Sequence, residues 1–277
     1  MFGVSVAAVC RKVGMTRQNY YARRRARWRR RVDEDLIAEL VAGERRLQPR
    51  IGVRKLRHLF KETLAEAGVK MGRDRMFEVL RERGLLVHPK AAEFPRTTRS
   101  GHSLPVFGNK LKGMEVTGPN QVWVGDLTYI RTEEGFLYLA LLTDKGSRKI
   151  VGHHCGDTLE VEGTLAALER ALGELPAGAK PLHHSDRGSQ YCCHAYVERL
   201  RERGLEISMT EEDHCAENAL AERMNGILKG EYGLGRRFKS KAAARRAVEE
   251  AVRLYNTRRP HTALRYRVPA KAHSLAE

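Results

Sequence analysis

Up to about residue 87, apolar positions recur every three or four residues, the rhythm of helices with one buried face. Positions 10–21 read as a short helix, a turn at Gly14 and a second helix for which Thr16 is a good N-cap. Helical patterns follow over 32–47, 53–67 and 73–83, punctuated by Gly52, Gly68, Gly72 and Gly84. Leu56, Leu59 and Phe60, then Met76, Phe77 and Leu80, form apolar stripes with Arg and Lys opposite. The expectation is a small helix-turn-helix domain with a basic outer face. Between 88 and 119 the periodicity fades, and Pro89, Pro95, Pro105 and Pro119 interrupt it, so this stretch reads as a basic linker.

From Gln121 onward the rhythm shortens to β-rich runs at 122–130, 136–143 and 149–155, followed by a helix over 159–175. A strand at 181–184, a helix at 190–203, a strand at 205–209 and helices at 217–232 and 241–256 complete the chain. This order, β-β-β-α-β-α-β-α-α, matches an α/β architecture of the ribonuclease-H-like kind, a mixed sheet with helices on both faces. The expected organisation is a helical domain over 1–87, a linker over 88–119 and the α/β core with a basic C-terminal helix over 120–277.

Charge sharpens this picture. The net charge is +17, distributed as +15 over residues 1–120, −8 over 121–222 and +10 over 223–277. An acidic middle between two basic arms is unlike a uniformly basic solvated surface, and a polyanion such as double-stranded DNA is the partner it suits. The five cysteines are odd in number, include the adjacent Cys192 and Cys193, and follow no framework spacing, which suits a reducing cytoplasm. His153, His154, Cys155, His183, His184, Cys192 and Cys193 lack zinc-ligand spacing. The longest apolar run, 136–142, is too short to span a bilayer, no signal pattern opens the chain, and no membrane role is expected.

Three carboxylates fall where the expected fold brings them together. Asp126 lies within the first strand, and Asp186 directly follows the fourth in the turn Ser185-Asp186-Arg187-Gly188. Glu222 sits on the helix that follows the fifth strand. At 100° per residue, Leu220, Met224, Ile227 and Leu228 share one face of that helix, while Asn218, Glu222, Asn225 and Lys229 share the opposite one. Oxygen-only ligands suit a hard divalent cation.

Residues 11–270 resemble the insertion-sequence transposases encoded by the second reading frame of copy-out elements, relatives of the retroviral integrases. The resemblance rests on Pro119-Asn120-Gln121-Val122-Trp123, Thr143-Asp144, Ser147-Arg148 and His184-Ser185-Asp186 with Gly188, Gln190 and Tyr191. It continues through Glu217-Asn218-Ala219, Glu222-Arg223-Met224-Asn225-Gly226, Leu228-Lys229 and Tyr255-Asn256-Thr257-Arg258-Arg259-Pro260-His261, with 35 residues between Asp186 and Glu222, the D-D-35-E spacing.

The resemblance implies cleavage at element ends and strand transfer, with Asp126, Asp186 and Glu222 holding two Mg²⁺ or Mn²⁺ ions. It also implies element-end and target DNA as partners, a homo-oligomer on DNA, an upstream-frame partner protein, and a bacterial, nucleoid-associated cytoplasmic location. Asn218, Asn225 and Lys229 are expected to face DNA phosphate, and Arg258, Arg259 and His261 either to contact phosphate or to terminate a helix. Glu217 stands where Asp is common and His153 where Trp is common, and the amino-terminal zinc module of the retroviral relatives is absent. The alternatives are a catalytically inactive DNA-binding derivative and a hydrolytic nuclease of the same fold.

Overall fold

The computed structural model describes residues 5–87, 103–211 and 218–274. The chain divides into two compact units, one of residues 1–47 and 52–87, the other of 48–51 and 88–277.

The first unit is helical. Helix α1 (Val6–Lys12) is opened by Ser5, whose Oγ accepts from the Ala8 N–H at 3.3 Å. Gly14, at φ 64°, turns the chain, and Thr16 caps α2 (Arg17–Leu47) by accepting from the Asn19 N–H at 3.1 Å. The turn and cap stand where the sequence puts them, but α2 runs unbroken for 31 residues. The stretch 23–30, with its six arginines, and the helix expected to start near Val32 are therefore one element. The physical reason is that arginine is a good helix former, and neither Gly nor Pro occurs between Thr16 and Ala42.

The helix expected over 53–67 is instead two, α3 (Val53–Leu59) and α4 (Lys61–Glu66), parted at Phe60 where ψ rises to 5°. Helix α5 (Arg73–Glu82) completes the unit, with Arg75 paired to Glu34 and Arg83 to Asp35 of α2, the latter at 2.5 Å. Ile37, Val41, Leu56, Met76 and Leu80 are fully buried.

The second unit is a five-stranded mixed sheet in the order β3-β2-β1-β4-β5. Strands β1 (Val122–Thr132), β2 (Gly135–Asp144) and β3 (Ile150–Gly156) form an antiparallel meander. Strand β4 (Leu182–Ser185) joins β1 in parallel, and β5 (Ile207–Met209) joins β4 in parallel. Parallel pairs need crossovers, supplied by α6 (Val161–Gly173) and by α7 (Ser189–Cys192) with α8 (His194–Glu202). This is the ribonuclease-H-like arrangement expected from element order.

Alternation along β1 separates the two faces. Trp123 packs with α6 and α8 through Leu168, Leu172, Tyr196 and Leu200. Val122, Val124 and Ile130 point the other way, to the side covered by α9 (Ala219–Glu231) and α10 (Lys241–Arg258). On the first face α6 lies directly on β3: a Cβ at Gly152 would stand 2.1 Å from the Ala167 carbonyl oxygen. A short 3₁₀ turn (Thr262–Leu264) and α11 (Pro269–Ser274) end the described chain.

Of the expected linker, 88–102 lies outside the described residues. Residues 103–119 form neither helix nor strand, yet they lie on the sheet unit. Leu104 and Phe107 pack against one core cluster, Leu111 and Val116 against another, and the Lys110 N–H donates to Ser208 Oγ of β5 at 2.9 Å.

Candidate active site

Strands β1 and β4 run side by side with Val122 opposite Leu182, Trp123 opposite His183 and Val124 opposite His184. Two residues further along each lie Asp126 and Asp186, so the register sets both carboxylates at one end of the paired strands. The parity that turns Val122 and Val124 toward α9 turns Asp126 the same way. Asp186 follows the last residue of β4, in a turn where the Gly188 N–H donates to its Oδ1 at 3.0 Å.

Helix α9 brings the third group. Ala221, Met224, Ile227 and Leu228 are buried, which fixes the rotation of the helix and leaves Glu222 exposed on its other flank. One turn later, Asn225 donates from Nδ2 to Oδ2 of Asp126. A further turn on, the Lys229 ammonium stands 4.2 Å from the centroid of the Tyr129 ring, a cation–π contact.

The electrostatics tie these groups together. Asp126 keeps some solvent contact, but burial raises its carboxyl pKa from 3.8 to about 7, and the negative charges of Asp186 and Glu222 push in the same direction. The hydrogen bonds from Leu127 N–H and Asn225 oppose that rise without cancelling it. Lys229 moves the opposite way, to about 8, chiefly through burial and helped by Arg131, while the charge of Asp126 holds it back.

Behind the carboxylates, on the sheet face that Gly125 presents, the packing is neutral. His183 is buried, its Nε2 lies 2.9 Å from the Tyr196 hydroxyl, and burial lowers its pKa to about 3. Its ring and that of Tyr191 crowd the strand so closely that a Cβ at Gly125 would come within 3.2 Å of both. A glycine inside a strand marks such an approach, and Gly125 was the one legible sign of it in the sequence. His184, next along β4, lies with Nδ1 2.9 Å from Ser208 Oγ.

The remaining expected contacts divide. Asn218, expected to face DNA, is buried at the start of α9, and its Oδ1 finds no hydrogen-bond partner among the described residues. Asn225 turns to Asp126 as well as sharing the polar stripe. Arg258 is exposed at the end of α10. Arg259 takes the second of its two expected roles: it caps α10, is 1% exposed, and places Nε and Nη2 each 2.8 Å from the Glu231 carboxylate, which leaves its guanidinium no phosphate-facing surface. His261 is half-buried with its ring 6.4 Å from Tyr255. Asp144, a motif acid, is wholly buried and accepts from the Asn120 and Ser147 N–H groups at 2.6 and 2.7 Å, so its role is to hold a turn.

As a donor set, Asp126, Asp186 and Glu222 offer carboxylate oxygens alone, the chemistry of a hard cation. Among the described residues no three His, Cys, Asp or Glu side chains gather around one point closely enough to hold a single ion. Asp126 is the member whose carboxyl feels the charge of both others.

The Integrase core domain family matches residues 116–215, and a second family of the same description matches 203–269. The insertion element IS600 uncharacterized 31 kDa protein of Shigella sonnei is 37% identical over 276 residues, covering 97% of this chain and 100% of that protein. The transposase InsF for insertion sequence IS3A of Escherichia coli (strain K12) is 31% identical over 264 residues, covering 93% of this chain and 90% of that protein. Among solved structures, the HTLV-2 integrase catalytic core domain in complex with magnesium superposes with a TM-score of 0.46 at 20% identity, covering 57% of this chain and 99% of that one.

Proposed function

Because this chain belongs to the insertion-sequence transposases built on an integrase core, we propose that Asp126, Asp186 and Glu222 are its catalytic carboxylates and that they hold divalent cations. Its function is DNA transposition, the integration and recombination of an insertion sequence. The observation that carries the assignment is the placement of Asp126: the β1–β4 register sets it at the same strand end as Asp186, and Asn225, one turn from Glu222 on α9, donates to it. Burial and the two neighbouring carboxylates raise its pKa, so negative charge is collected there at a cost in stability. A cation removes that cost.

Mg²⁺ or Mn²⁺, two ions in all, would be held by Asp126 with Asp186 and by Asp126 with Glu222, and would neutralise charge on the attacking and leaving oxygens of a phosphodiester. Asn225 orients Asp126 through its amide. Lys229, one turn beyond Asn225, carries a positive charge toward a bound phosphate. The His183, Tyr191 and Tyr196 rings pack against Gly125 on the opposite sheet face and brace the strand that carries Asp126.

The reaction exchanges bonds without consuming energy. Water opens a P–O bond at the element end and leaves a 3′ hydroxyl. That hydroxyl oxygen then attacks a phosphorus of target DNA, a new P–O bond forms as the old one breaks, and the proton of the attacking hydroxyl passes to solvent. An element has two ends and the chain supplies one such set of carboxylates, so the proposal includes at least two copies assembled on DNA.

The test is a strand-transfer assay on duplexes carrying the element ends. Asp126→Asn, Asp186→Asn and Glu222→Gln are each expected to lower cleavage and joining by at least about 100-fold, as loss of a charge-stabilising group does elsewhere, with DNA binding retained. A variant that keeps more than about 1% of the activity is not missing a metal ligand.

A further inference from the structure

The first half of α2 takes no part in the chemistry at Asp126, yet its surface is unusual. Between positions 17 and 32 it carries eight arginines and no acid. At 100° per residue, Arg17, Tyr21, Arg24, Trp28, Arg31 and Val32 fall within one arc of about 100°. The indole of Trp28 is 69% exposed, and Tyr21 and Val32 are 40% and 50% exposed. With Arg83, just past the end of α5, this face borders a shallow groove of roughly 950 Å³.

Arginines this dense call for a polyanion, but phosphate contact alone does not account for the rings. An exposed indole between guanidinium groups offers a flat apolar face beside cationic donors, the combination that stacks nucleobases while gripping the backbone on either side. A paired duplex hides its base faces; a strand end that has lost pairing shows them. Pairing with a second copy through the Tyr21, Trp28 and Val32 stripe would bring two such arginine rows together, and like charges oppose it.

We infer that the Tyr21–Trp28 face of α2 is a stacking site for an unpaired base at a DNA end, with the flanking arginines holding the neighbouring phosphates. The choice of a DNA end as ligand rests on the reading of this chain as an end-processing enzyme.

The chain offers its own reporter, because Trp28 and Trp123 are its only tryptophans and Trp123 is 1% exposed. The full chain carrying Asp126→Asn, free of divalent metal, is titrated with two duplexes of one sequence, one fully paired and one with mismatched terminal pairs. The expected result is saturable quenching of tryptophan emission, stronger on the mismatched end. Trp28→Ala should weaken binding to that end roughly tenfold and to the paired duplex far less. Trp28→Phe should recover part of the loss, and its remaining emission, from Trp123, should not move.

Equal loss on both duplexes, or no quenching, overturns the stacking site and leaves α2 a phosphate anchor. A blue shift that grows with protein concentration in the absence of DNA overturns it in favour of a second copy. A chain that joins no DNA in the strand-transfer assay but shows the selective quenching upholds the site and refutes only the catalytic reading.

Discussion

Removing the charge of Asp126 should stabilise the metal-free protein while abolishing its chemistry. The carboxyl pKa rises from 3.8 to about 7 on folding. A folded pKa above the unfolded one means the native state holds the proton more tightly, so stability falls as pH climbs through that interval and the loss is complete above it. At 1.36 kcal/mol per unit the full cost is roughly 4 kcal/mol. Because Asp126 keeps some contact with solvent, about half of that is a fairer expectation, or roughly 4–8 °C in melting temperature for a unit of this size.

Asp126→Asn keeps a carbonyl oxygen to accept from Asn225 and discards the charge. In chelator, thermal melts followed by circular dichroism should show the variant above wild type at pH 8, with the gap narrowing toward pH 4. Mg²⁺ should raise the melting temperature of wild type more than that of the variant. Parallel pH curves for the two proteins, or a variant that melts lower at pH 8, would refute the idea that Asp126 stores charge for a cation.

Other perturbations probe the frame and the rim of the site. Arg259→Ala strands the Glu231 carboxylate beside an emptied buried site and should cost about 3 kcal/mol or more in denaturant unfolding, without first affecting DNA contacts. Gly152→Ala drives a methyl into the Ala167 carbonyl, so α6 must lift from β3; a loss of about 1–3 kcal/mol is expected, and an unchanged midpoint would mean that α6 shifts freely. Lys229, with its pKa near 8, is cationic at pH 7 and mostly neutral at pH 9.5, so Lys229→Met should weaken DNA binding at the lower pH and make little difference at the higher.

The parts of the molecule that could be read from sequence are those whose signal is local. Five strands and the crossover helices announce themselves by period, and Asp126 and Asp186 by standing within one strand and at the end of another. The continuity of α2 was hidden because eight arginines erase the apolar rhythm that marks a helix while leaving its backbone preference intact. The break at Phe60 has no glycine or proline to mark it. Residues 103–119 look like linker, since Pro105, Gly108, Gly113, Gly118 and Pro119 interrupt any period, while Leu104, Phe107, Leu111 and Val116 are partly buried by a sheet far away in sequence. Asn225 was legible as a polar residue on the right helix, and Arg259 as a basic residue just past the end of one. Which of them faced a carboxylate within the protein was decided by tertiary packing.

The bond from Asn225 to Asp126 closes a loop of 99 residues, and the helix that makes it follows all five strands. Contacts of such long range form late in folding, and synthesis delivers the amino-terminal elements first. For much of its time on the ribosome the growing chain therefore has its basic helices but no Glu222. Incomplete products, from stalled synthesis or from proteolysis before α9, would keep the arginine-rich helix and lack the third carboxylate. They would occupy DNA ends without cutting them, and so act as competitors of the finished enzyme.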